Sequence, residues 1–201
     1  MIEDLPAPIK NNIMESVNFH EYSQPENSFG IKELLYCLRQ AYMKRLYPKP
    51  INLKTAAVID RGMSLDKKYT SLFPRNQIKC VYQCHKAPVS IKGKLDFYDE
   101  NNVLTELKFP VNLVNICGVS IADKKQVQFY AYCEKQAVAQ VLYFDTIDCK
   151  KFTVDVSGWE SLIEELETNA AVLYNCLKFR QLPEKTEFCS LCGNCEYAGV
   201  C

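Results

Sequence analysis

The chain has 201 residues, 48% of them hydrophobic, with 24 basic and 24 acidic residues and a formal net charge of zero. That size fits one large domain or a domain with a small appendage, the apolar content supplies a core, and the charge balance excludes a global pull towards nucleic acid. Eleven cysteines, a start of Met-Ile-Glu-Asp-Leu-Pro without a basic or apolar leader, and no run of membrane-spanning length disfavour a secreted disulfide scaffold and favour a cytoplasmic metal site.

Residues 1–29 are polar and turn-rich, with Pro6, Pro8 and Pro25. Ile31, Leu34, Leu35, Leu38 and Tyr42 recur near helical spacing, which predicts one helix over 31–46, stopped by Pro48 and Pro50. The stretch 32–54 is locally basic, with Lys32, Arg39, Lys44, Arg45, Lys49 and Lys54 against Glu33. Such a surface can grip phosphates or form an ordinary solvated helix face. A second helix is expected over 55–72, before Pro74. Strands are expected at 78–84, 88–98 and 103–109, the second alternating Val89, Ile91, Gly93, Leu95 and Phe97. Asp99-Glu100-Asn101-Asn102 is a turn signal between the last two.

A helix over 124–137 and strands at 139–145 and 150–156 follow. A long amphipathic helix over 158–179 puts Trp159, Leu162, Ile163, Leu166, Ala170, Leu173 and Leu177 on one face, and Glu160, Glu164, Glu165 and Glu167 make it acidic. The tail from Pro183 is a cysteine-rich coil. The order of elements predicts an α/β fold, a mixed sheet flanked by helices.

Two groups of residues carry chemistry. With a loop of Glu100–Asn102, Asp99 faces Val103 and Asp96 faces Glu106, while Lys108 shares the face of Glu106. Opposed carboxylates repel unless a divalent cation or a shared proton lies between them. A hard cation such as Mg²⁺ or Mn²⁺ suits them, and the Lys108 ammonium can stabilise charge developing on a phosphate. The set fits metal-assisted phosphodiester hydrolysis; taken alone, Asp96, Glu106 and Lys108 also fit an ordinary surface ladder. Gln126 and Tyr130, at i and i+4 on the next helix, can point into the same cleft, and Asp66 can add a third metal ligand. The second group is Cys192-x2-Cys195-x5-Cys201 with Cys37 far upstream, thiols suited to a soft metal centre that would tie the first helix to the last residues. An all-local set of Cys189, Cys192, Cys195 and Cys201 is an alternative, as is a zinc ribbon. Cys80, Cys84, Cys117, Cys133, Cys149 and Cys176 read as small buried hydrophobes.

The order Cys37, Gly62-x3-Asp66, Gly93-x2-Asp96, Glu106-x-Lys108, Gln126-x3-Tyr130, Cys192-x2-Cys195-x-Tyr197-x3-Cys201 resembles the CRISPR-associated RecB-type exonucleases, the "Cas four" family, over nearly the whole chain. The resemblance implies a PD-(D/E)xK nuclease domain over 1–201, with an iron–sulfur subregion of about 30–54 plus 180–201 and a catalytic core of about 55–179. It implies Mg²⁺- or Mn²⁺-dependent exonuclease action on DNA, often single-stranded, and the trimming of spacer precursors beside the CRISPR integrase. It further implies a cluster, [4Fe–4S] rather than [2Fe–2S], on Cys37, Cys192, Cys195 and Cys201. By the same carry-over Asp96, Glu106 and the Leu107 carbonyl bind metal, Lys108 is catalytic, and Gln126 and Tyr130 form the Q-x3-Y motif. Asp66 stands where the family usually has His; neither His20 nor His85 fits that place. The competing expectation is a catalytically weak or inactive module of the same fold, binding DNA or the integrase, such as a virus-encoded copy.

Overall fold

The computed structural model describes residues 5–18, 27–185, 192 and 195–200. The element order is α1 (Ala7–Asn18), β1 (Ser28–Gly30), α2 (Ile31–Leu35), α3 (Leu38–Leu46), α4 (Leu53–Thr70), β2 (Asn76–Gln83), β3 (Ser90–Tyr98), β4 (Leu104–Lys108), α5 (Ile121–Glu134), β5 (Ala139–Phe144), β6 (Cys149–Val154) and α6 (Trp159–Phe179), with a 3₁₀ turn at Ala198–Val200.

Six strands form one mixed sheet. The path runs β1-β3-β4-β5-β6, with β2 on the other edge of β3. β3 pairs antiparallel with β2 along most of its length, parallel with β1 at Ser90–Lys92, and antiparallel with β4 only at Phe97↔Thr105 and Tyr98↔Leu104. That last register is the one a Glu100–Asn102 loop requires, and Asp99 N–H donates to the Val103 carbonyl at 3.0 Å. The edge of β3 between Lys92 and Phe97 therefore lies in a fork, where β1 and β4 part. β4 continues through α5 into β5, with which it pairs in parallel from Leu104↔Ala139 to Lys108↔Tyr143. A parallel partner needs such a crossover.

α5 lies against the sheet and α6 packs on α5 and α3. Leu162, Ile163, Leu166, Ala170 and Leu173 of α6 are buried. Burying each of the larger ones contributes about 1.5–3 kcal/mol, so periodicity governs this helix. Three of its four acidic residues have partners. Glu164 pairs with Lys86 and Glu165 with Lys125, while buried Glu167 accepts from Tyr82 Oη at 2.7 Å and the His85 N–H at 3.0 Å.

Three other expectations change. Residues 7–18 form a helix that packs on α4, with Ser16 Oγ donating to Asp60 at 2.7 Å. Pro6 and Pro8 lie at its start, where an absent N–H breaks no bond. The single helix expected over 31–46 is two, broken at Tyr36 and Cys37, both outside helical backbone and Cys37 extended. Of the cysteines read as buried, Cys117 and Cys149 are exposed, on the loop before α5 and at the start of β6. Among the described residues no helix is long and apolar enough to cross a membrane.

Candidate active site

The fork in the sheet sets the site. Asp96 stands on the unpaired edge of β3 and is 7% exposed; its Oδ2 accepts the Leu107 N–H at 2.7 Å. Glu106, on β4, is 3% exposed. Its Oε1 accepts from Lys108 Nζ and Gln126 Nε2, both at 2.8 Å, whereas Oε2 is buried without a hydrogen-bond partner among the described residues. A buried orphan carboxylate oxygen is costly unless a cation or donor meets it. Burial pushes the Asp96 carboxyl well above its ordinary range, and the nearby Glu106 and then Asp66 add to the rise against the Leu107 N–H and Lys108. Without a bound cation, burial and the neighbouring carboxylates therefore disfavour the charged form of Asp96.

Asp66, on α4, reaches this field. Its Oδ2 accepts from Gln77 Nε2 at 3.2 Å. Leu107 meets the cluster through its N–H. Among the described residues no three His, Cys, Asp or Glu side chains stand together as a ready metal cage. The donors nonetheless suit a hard divalent ion: they are carboxylate oxygens, one lacks any partner among the described residues, and Mg²⁺ keeps several of its own waters.

Around the acids lies a connected polar network. Lys108 Nζ donates to Glu106 Oε1 at 2.8 Å and Gln126 Oε1 at 2.9 Å, and stands 3.1 Å from Asp123 Oδ1. Burial alone would lower the Lys108 pKa; Glu106 and Asp123 outweigh it and hold the ammonium above its ordinary value. Gln126 Nε2 also donates to Tyr130 Oη at 2.8 Å. Tyr130 is buried against the backbone of β3. A Cβ at Gly93 would lie 2.4 Å from its Cε1 atom, so only glycine leaves room for the ring. Gly93-x2-Asp96 thus has a steric reason as well as a chemical one.

Asp123 is the site residue that sequence reasoning missed. Ser120 caps α5 by accepting the Asp123 N–H at 3.1 Å, and Asp123 Oδ2 accepts from Ser120 Oγ and Tyr143 Oη, both at 2.8 Å. Burial would raise this carboxyl; the Lys108 ammonium and these donors hold it below the ordinary range. The pattern Ser120-x2-Asp123, three residues before Gln126, was the available signal.

The cysteine region lies on α3. Cys37 stands at the N-cap position of that helix, and Cys37, Cys192 and Cys195 line one pocket with Gln40, Met43 and Tyr197. Gln40 Nε2 lies 3.7 Å from Cys195 Sγ. Of the basic residues that could have gripped phosphates or formed a solvated helix face, three fasten this tail. Arg39 Nε donates to the Pro183 carbonyl at 2.6 Å, Lys49 Nζ to the Glu196 carbonyl at 2.7 Å, and Lys44 lies 3.6 Å from Glu196. Arg45 pairs with Glu33 at 2.7 Å. Tyr197 Oη donates to the Tyr47 carbonyl at 3.0 Å. Three thiols on one pocket suit a soft centre by donor chemistry, although among the described residues they form no group compact enough for a single ion. Cys189 and Cys201 lie outside the described residues, as does His20.

No protein-family model matches the chain, and no curated protein matches it. Solved structures do. The crystal structure of SSO0001 superposes with a TM-score of 0.72 at 14% identity, covering 100% of this chain and 98% of that one. The alkaline exonuclease LHK-Exo from Laribacter hongkongensis superposes with a TM-score of 0.51 at 14% identity, covering 85% and 93%. This is a fold that a nuclease uses. At such identities the shared property is the architecture, a mixed sheet flanked by helices; activity has to be argued from the site.

Proposed function

We infer that the chain is a Mg²⁺- or Mn²⁺-dependent DNA nuclease. The observation that carries this reading is the buried, unpartnered Glu106 Oε2 beside a desolvated Asp96. Asp66, Asp96, Glu106 and the Leu107 carbonyl would hold the cation. When bound, it would supply Lewis-acid polarisation of the phosphodiester and of the attacking water. Lys108 stays protonated and presents positive charge where the phosphorane-like transition state gathers negative charge. Gln126 holds Lys108 and Glu106 in one geometry, and Tyr130 fixes Gln126 from behind.

The finer reading is an exonuclease preferring single strands that processes spacer precursors in CRISPR adaptation beside the integrase. It carries an iron–sulfur cluster on Cys37, Cys192, Cys195 and Cys201. It rests on the six motifs in order and on the cavity that three of those thiols line. The test is an anaerobic preparation assayed for iron and for Mn²⁺-dependent loss of end-labelled single-stranded DNA. Asp96→Asn and Glu106→Gln should abolish cleavage and keep the iron. Wild-type cleavage by either variant contradicts the mechanism.

Two observations favour a second reading, a non-catalytic DNA- or integrase-binding module of the same fold. Asp66 is occupied by the Gln77 amide, and no preformed cage exists among the described residues. DNA binding without cleavage in either Mg²⁺ or Mn²⁺ would establish it.

A further inference from the structure

The outer face of the β2–β3 ladder carries an acid-free basic strip. Along these strands burial alternates: Cys80 and Ile91 point inward, while Lys79, Val81 and Gln83 of β2 and Lys92 and Lys94 of β3 are exposed. The register sets Lys79 directly opposite Lys94, and Val81 opposite Lys92. Like charges directly opposed across a ladder destabilise it, so this arrangement stands out as one that a polyanion would relieve. Some other surface lysines do meet acids, as Lys86 meets Glu164 and Lys125 meets Glu165. Among the described residues Lys79, Lys92 and Lys94 have no acidic partner.

The strip runs up to the acid cluster. Lys94 stands two residues before Asp96, and Lys79 two residues after Gln77, whose amide holds Asp66. Two parallel consequences follow from that placement. Phosphates lying along the strip would lead a strand to the fork in the sheet. Exposed Val81, at 51%, would offer apolar contact to a sugar between the ammonium groups.

We propose that the Lys79–Lys92–Lys94 face is the track that holds the nucleic-acid backbone as it enters the site. The choice of nucleic acid as the polyanion rests on the nuclease reading above. The basic 32–54 stretch, by contrast, is largely spent on the protein's own tail and on Glu33.

The test measures binding of a fluorescein-labelled oligothymidine to the Asp96→Asn protein as salt is varied, so that cleavage does not interfere. Each phosphate contact on a single strand contributes about 0.7 to the slope of log K against log salt. Lys79→Ala, Lys92→Ala and Lys94→Ala together should lower that slope by about 2 and weaken binding at every salt concentration, the three contacts acting together. The triple replacement by arginine should keep the slope. An unchanged slope in the alanine triple, or no binding by the parent protein, overturns the track. Cleavage by the protein with Asp96 intact is scored separately. Cutting without the slope change leaves the nuclease reading standing alone, and the slope change without cutting leaves the track standing alone.

Discussion

Gly93→Ala tests the packing behind the site most sharply. The new methyl would lie 2.4 Å from Tyr130 Cε1, 3.0 Å from Oη and 3.1 Å from Cζ. Ordinary contact demands a shift of roughly 1 Å, and the ring, 2% exposed, has little free space to take it. A shift of that size breaks the 2.8 Å bond from Gln126 to Tyr130 Oη. Overpacking and the lost bond together cost about 2–4 kcal/mol. In a chain of this length that lowers Tm by roughly 4–16 °C. Cleavage should fall as well, because Gln126 loses the anchor that holds it on Glu106 and Lys108. The assay is thermal unfolding of four proteins: wild type, Gly93→Ala, Tyr130→Ala and the double variant. The cost of the methyl should vanish once the ring is gone, a coupling that a double-mutant cycle isolates. An equal cost with and without the ring, or no cost at all, refutes the steric argument.

Asp123→Asn should lower kcat by about 10–100-fold with little change in KM, since the carboxylate positions Lys108 without touching substrate. Ser120→Ala removes the helix cap but leaves the ion pair, so it should lower Tm more than kcat; parallel losses in both variants would reduce Asp123 to a cap. The pH dependence of stability follows from Asp96. Its folded pKa is raised, so its contribution is present below the unfolded value and is lost as pH rises through the folded one. Metal-free Asp96→Asn should therefore melt above wild type at pH 8, with the gap closing as the pH is lowered; a gap that widens on acidification contradicts the assignment. Cys195→Ser should remove bound iron and visible absorption and leave the C-terminal tail open to protease, whereas an iron-loaded variant would place the cluster elsewhere.

Much of the fold was legible because its signals were local. The apolar stripe of α6 and the Asp99–Asn102 turn each bias the chain over a few residues, and the turn fixes the register that brings Asp96 towards Glu106. What was not legible depends on partners distant in sequence. β1 is three residues long and is stabilised by β3, which no local pattern reports. The break at Tyr36 and Cys37 interrupts a good helical period, and α1 begins with prolines that usually signal a loop. The basic stretch read as either a phosphate grip or a solvated helix face because sequence does not show that Arg39, Lys44 and Lys49 reach the C-terminal tail. Lys79 and Lys94 escaped notice for the same reason: they are 15 positions apart in sequence (94 − 79) and adjacent only through the register.

The central claim is that Asp96 and Glu106 share a hard cation. Calorimetric titration of the metal-free protein with Mn²⁺, alongside Asp96→Asn and Glu106→Gln, measures this directly. The account predicts saturable binding that raises Tm in the wild type, by about 5–10 °C at a hundredfold excess over Kd, and is lost in both variants. Binding of undiminished affinity in either variant, or none in the wild type, contradicts it.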